Sequence, residues 1–147
     1  MSLEELELFP SEEAFASETE AAQYLARNFN ILKTLLNDTE KHFIGDAGEP
    51  NFVNSWVNDA VGVPTFFTKD RHGRVIFQGV ISGGTATRIF TLPTEFFPPG
   101  RLAMSASAYT GVTFVPVALQ VDPLGRVSYH DSLAYSWISL CGSFYYL

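Results

Sequence analysis

Three histidines, one cysteine and a His-Asp-Ser run are the residues of this 147-residue chain with types suited to metal, nucleophilic or acid–base chemistry. His42, His72 and His130 fall on different expected elements and in none of the HxH, HxxxH or HExxH spacings, so no zinc or iron signature is present. His130-Asp131-Ser132 places three triad residue types side by side, whereas a triad needs them to converge from separate elements. Cys141, between Leu140 and Gly142, is expected to be a buried small hydrophobe; alone it supports neither a disulfide framework nor a multi-cysteine metal site within one chain. Gly83-Gly84-Thr85-Ala86-Thr87 lacks the Gly-Lys-Ser/Thr that a phosphate loop requires, and reads as a flexible loop at a domain edge. The expectation is therefore no catalytic residue, no metal and no cofactor. Ligand contact is better sought among loop aromatics. Tyr109-Thr110-Gly111 and Tyr129-His130-Asp131, with Tyr135 close behind, combine flat apolar faces with polar groups, as sugar recognition does. Tyr109 reads equally well as a core residue.

Those residues have to be positioned by two dissimilar regions. Residues 1–50 hold eleven Asp/Glu and three Lys/Arg, a net −8; residues 51–147 hold five and six, a net +1. Six scattered cations do not make the basic face that tracks phosphates, which argues against nucleic-acid binding. Hydrophobic content of 46% with mean hydropathy near zero indicates a globular chain. No apolar run approaches the ~20 residues of a membrane helix, so no membrane insertion is expected. The acidic start MSLEELELFP is unlike a secretory leader, so synthesis in the cytoplasm without general export is expected.

Residues 11–43 read as one helix of ~50 Å, capped by Ser11 after Pro10, with a stalk running to residue 44. Ala22, Leu25, Phe29, Leu32 and Leu36 recur in steps of three and four, a coiled-coil-like seam continued by Thr39 and Phe43 and flanked by Tyr24, Ile31 and Leu35. A polar rod with one apolar stripe must bury that stripe, so self-association is expected in preference to a helix lying across its own head. Residues 45–50, with two glycines and a proline, read as a linker. Ahead of the helix, Leu3, Leu6, Leu8 and Phe9 among glutamates make residues 1–10 either a solvated tail or an anchor that orders on another protein; the anchor is preferred, because four large apolar residues are costly to leave in water.

From residue 51 onward short alternating runs replace the helical period: 52–58, 65–69, 74–82, 88–92, 102–108, 112–121, 126–130 and 133–147. This predicts a mainly β chain, its head a β-sandwich or jelly-roll-like fold over residues 51–147. Asp70-Arg71-His72-Gly73-Arg74-Val75 and Asp122-Pro123-Leu124-Gly125-Arg126-Val127 share D-x-x-G-R-V, the pattern of one tight hairpin made twice. Several strands, 133–147 above all, are apolar on both faces, a second indication of self-association.

Asn54-Ser55-Trp56-Val57-Asn58, Phe67-Thr68-Lys69-Asp70, Gly73-Arg74-Val75, Gln78-Gly79-Val80-Ile81, Ile89-Phe90-Thr91-Leu92-Pro93 and Trp137-Ile138-Ser139-Leu140, in that order, resemble the C-terminal head domains of tail-fibre and baseplate proteins of tailed bacteriophages. The resemblance covers about residues 50–147. It implies a homotrimeric β-sandwich knob on a fibre, made in the host cytoplasm and carried on the virion, which binds a host surface such as a bacterial glycan or completes the particle. The N-terminal segment would then hold another virion or tail protein. Two other readings remain: a lectin-like carbohydrate-binding module, and a collar or decoration protein without receptor activity.

Overall fold

The computed structural model describes residues 17–36, 40–131 and 134–147, with the side chains of 33–36 left aside. The chain divides into two compact units, Met1–Thr39 and Glu40–Leu147.

Among the described residues of the first unit a helix, α1, spans Glu18–Leu36. The Ser17 hydroxyl accepts the Glu20 N–H at 3.2 Å, and Glu18 and Glu20 lie in the first turn, where the helix dipole favours acids. Ser11 and the anchor residues Leu3, Leu6, Leu8 and Phe9 lie outside the described residues. Its nineteen described residues give about 28 Å, and residues 11–16 of the expected rod lie outside the described residues. Along the seam Ala22 is exposed, and Leu25, Phe29 and Leu32 are 65%, 67% and 42% exposed; the flanking Ile31 is buried. Leu36 ends the helix, its side chain among those set aside.

The described residues of the second unit form eleven strands: β1 (His42–Phe43), β2 (Val57–Asn58), β3 (Phe66–Lys69), β4 (Arg74–Gln78), β5 (Val80–Ser82), β6 (Arg88–Thr91), β7 (Leu102–Tyr109), β8 (Phe114–Val121), β9 (Arg126–His130), β10 (Trp137–Ser139) and β11 (Phe144–Tyr146). They form a four-stranded sheet, β1-β3-β4-β11, and a seven-stranded sheet, β2-β5-β10-β7-β8-β9-β6. All described pairings are antiparallel. Strand alternation sends Val75, Phe77 and Tyr145 from one sheet, and Ile81, Phe90, Leu119, Val121, Val127 and Ile138 from the other, into a single core. Across it, Phe77 meets Phe90 at 6.1 Å between ring centroids. Each such buried aromatic or aliphatic side chain contributes about 1.5–3 kcal/mol.

Five expectations need correction. The helical period through Phe43 and the stalk boundary at 44 give way to sheet pairing: His42 pairs with Phe67 and stacks on its ring at 4.9 Å, and Phe43 pairs with Phe66. The head therefore begins at Glu40, and residues 45–50 are a closed loop of it and not a linker. The Gly45 N–H donates to the Pro50 carbonyl at 2.7 Å, Ile44 is buried, and the His42 Nδ1 lies 3.0 Å from a Glu49 carboxylate oxygen. The long strand 133–147 is two strands in different sheets. A turn at Leu140–Ser143, closed by the Ser143 N–H on the Leu140 carbonyl at 3.1 Å, carries the chain between them. Cys141 rides that turn and is exposed, its Sγ accepting the Gly79 N–H at 3.3 Å. Of residues 52–58 only Val57–Asn58 is strand, because Asn54 and Ser55 turn the chain with φ of 54° and 63°.

The repeated hairpin is present twice with one network. Asp70 Oδ1 accepts the N–H groups of His72 and Arg74, and its Oδ2 accepts Arg74 Nε; Asp122 does the same with Leu124 and Arg126. Gly73 and Gly125 supply φ of +77° and +72°. The Arg74 backbone N–H foremost, with that of His72 and the guanidinium of Arg74, holds the Asp70 carboxyl below its ordinary value despite some desolvation. At Asp122 desolvation pushes upward, but the Arg126 backbone and guanidinium and the Leu124 N–H outweigh it, and the pKa is lowered.

Candidate functional site: two aromatic clusters on the head

The structure divides the aromatic candidates into two groups. The first surrounds the end of β9. Tyr129 pairs with Leu119 on the inner side of its sheet, and its ring meets Trp56 edge-on at 5.8 Å and Tyr135 at 5.6 Å. The Tyr135 hydroxyl donates to the Asp131 carboxylate. Partial burial, the Asp131 carboxylate and the neighbouring Tyr129 together push the Tyr135 hydroxyl up to about 12. His130 is exposed and pairs with Ala118. Beside these residues lies an open cleft of about 540 Å³ lined by Thr87, Gln120, Ser128, Tyr129, His130 and Asp131. Tyr129, His130, Asp131 and Tyr135 are thus brought together, while Ser132 lies outside the described residues. The hydroxyls, amide and carboxylate suit hydrogen bonding to a polar ligand.

The Gly83–Thr87 loop feeding this cleft is exposed except at Gly84, which is packed against Trp56 and so is not free to move. Trp56, only 3% exposed, donates its Nε1–H to the Ala86 carbonyl at 2.8 Å. Gly84 lies against the indole so closely that a Cβ there would sit 1.9 Å from Cε2. Glycine is needed at that position for room.

Tyr109 belongs elsewhere. It pairs with Phe114 and with Trp137, Trp137 pairs with Ser82, and Ser82 with Val57. Directly paired residues share a face, so Val57, Ser82, Trp137, Tyr109 and Phe114 form one row across the outer side of the seven-stranded sheet. The last three rings touch one another: Tyr109–Phe114 at 5.0 Å, Tyr109–Trp137 at 5.7 Å and stacked, Phe114–Trp137 at 5.5 Å and edge-on. The Tyr109 hydroxyl donates to the Gly111 carbonyl at 3.0 Å, and Thr110 Oγ1 donates to the Thr113 carbonyl at 3.2 Å, which braces the loop between β7 and β8. Tyr109 is half-buried, so the core alternative is not realised. Phe114 and Trp137 complete the cluster, and only Trp137 escapes a local reading altogether. Phe114 was legible in part, since four loop residues place it opposite Tyr109; Trp137 joins through a strand more than twenty residues away.

The two ends of the head differ. His42, in the first strand, lies 5.3 Å from Phe96 between ring centroids, and the adjacent Phe97 packs on Gly125 in the β8–β9 turn. The chain thus enters the head at that end. The Tyr109–Phe114 pair closes the opposite end of the β7–β8 hairpin, roughly 25 Å away at about 3.3 Å per residue.

No family model matches the chain, and no curated protein matches it. Among solved structures the chain is similar to the receptor binding protein (gp15) of Listeria phage PSA, at 16% identity and a TM-score of 0.62, covering 90% of this chain and 80% of that one. At that identity the likeness is one of fold.

Proposed function

We propose that this protein is a non-enzymatic attachment protein of a tailed-phage virion, a trimer whose β head meets the bacterial surface. The observation that carries the reading is the fold shared with a protein named as a phage receptor binding protein over 90% of the chain. The order and spacing of the head's structural motifs agree with it. Residues 1–10, through Leu3, Leu6, Leu8 and Phe9, anchor the chain to another virion protein, and Ala22, Leu25, Phe29, Leu32 and Leu36 join three copies.

Two facts support the self-association. A helix of 19 residues is marginal in water without a partner for its apolar face. Leu25, Phe29 and Leu32 leave such a face uncovered in one chain. The stoichiometry of three rests on the likeness to fibre heads. The four-stranded sheet adds weight, since Phe43, Phe66, Ile76, Phe144 and Tyr146 point outward from it where a water-facing sheet would be polar.

Light scattering tests the assembly. A chain of 16.3 kDa should run at about 49 kDa, three times its mass, and Leu25→Ser with Phe29→Ser should give folded monomers. Staining of a panel of bacteria by the labelled protein tests attachment. A monomer across a wide concentration range, or no stained strain, would count against the proposal.

A further inference from the structure

We propose that Tyr109, Phe114 and Trp137 form a platform for an uncharged sugar of the bacterial surface, a proposal that rests on the attachment reading above. Place in the head is the first argument. The platform sits at the tip of the β7–β8 hairpin, at the end of the head away from its first strand. It is also uncovered: Phe114 is 68% exposed, and Val112, at the tip of the same hairpin, 88%. Large aromatic rings are costly to leave in water, and the C–H face of a sugar ring is a partner that covers them.

Composition is the second argument. Val57, Ser82, Trp137, Tyr109, Phe114 and the intervening Thr110–Thr113 loop contain no charged residue. A phosphate, uronate or cationic ligand would find no counter-charge there, whereas a neutral sugar needs none. Hydroxyls stand around the rings to meet those of a ligand: Ser82 lies in the row itself, and Ser136 Oγ comes within 3.2 Å of where a Cβ on Gly111 would be. The third argument is rigidity. The ring of Tyr109 is held by its bond to Gly111 and by its two aromatic neighbours, and the loop is tied by Thr110, so little order has to be imposed on binding. A second copy of the chain is the competing occupant. The mass of the Phe114→Ala variant separates that occupant from a sugar.

The test uses the full chain and its Phe114→Ala variant on an array of neutral hexose- and N-acetylhexosamine-terminated glycans beside uronate- and phosphate-bearing ones, with the bacterial panel stained in parallel. Phe114 is mostly exposed, so its truncation leaves melting temperature and mass unchanged. Binding confined to neutral glycans and weakened at least tenfold by Phe114→Ala, with staining lost in step, is the expected result. Stained cells with no neutral glycan bound, or binding indifferent to Phe114→Ala, would overturn the platform while leaving attachment standing. A change in mass on Phe114→Ala would assign the rings to contact between copies and overturn it too. Absence of both staining and glycan binding would remove the attachment reading and the platform with it.

Discussion

Replacing Gly84 by alanine isolates one packing contact that shapes the cleft near Tyr129. Gly84 does not have the positive φ that penalises a side chain, so the cost is steric. The new Cβ would stand 1.9, 2.2 and 2.3 Å from Cε2, Cδ2 and Cζ2 of Trp56. Ordinary carbon contact begins near 3.5 Å, so the indole has to retreat by about 1.6 Å. Trp56 has little room to do so. It is 3% exposed, hydrogen-bonded to Ala86 and edge-on to Tyr129. Overpacking of this kind costs about 1–3 kcal/mol, and losing the indole hydrogen bond about 1 more. The sum, about 2–4 kcal/mol, corresponds in a head of this size to a fall of roughly 8–16 °C in melting temperature. Calorimetry and tryptophan fluorescence at fixed protein concentration measure it. Gly100→Ala, with nothing within 4 Å of the added carbon, is the control and should stay within about 0.5 kcal/mol of the parent. Trp56→Leu should relieve the clash, making the double variant more stable than the two single costs predict. A Gly84→Ala protein as stable as the control, or costs that simply add, would refute the reasoning.

Two further outcomes follow from the described geometry. The carboxyls of Asp70 and Asp122 are held below their unfolded value near 3.9, so their stabilisation is complete above that value and is lost as pH falls through the lower folded ones. Urea midpoints should therefore decline below about pH 4, and Asp122→Asn should reduce stability at pH 7 by about 1 kcal/mol, read as a lower midpoint, while flattening the acid decline; an unchanged acid slope would contradict this. Tyr135→Phe should remove a tyrosinate absorbance change centred near pH 12, read as the difference between parent and variant titrations; a difference centred near 10 would dissociate Tyr135 from Asp131.

Local chemistry accounts for much of the head. The two D-x-x-G-R-V turns were legible because an aspartate that accepts the N–H groups two and four residues on, and a glycine that takes positive φ, act within six residues. Alternation marked most strands and their core faces, since side chains on a strand have a period of two wherever it pairs. The apolar stripe of α1 and the cluster of Tyr129, Asp131 and Tyr135 were visible for the same reason, being built from near neighbours.

Tertiary pairing decided the rest. His42 and Phe43 extend a helical seam as plausibly as they begin a strand, and only the edge of β3 makes them strand. Residues 133–147 carry one apolar pattern, yet the turn at Leu140–Ser143 sends its halves to opposite sheets and Cys141 to the surface. The need for glycine at position 84 comes from an indole twenty-eight residues earlier. Tyr109, Phe114 and Trp137 become neighbours through the register of three strands, and register is set by which sheet face must be buried. Alternation and turn residues alone mark the head as β and its loop aromatics as candidates for contact. Only the folded sheet decided which aromatics stand together, because that depends on the partner each strand finds across the chain.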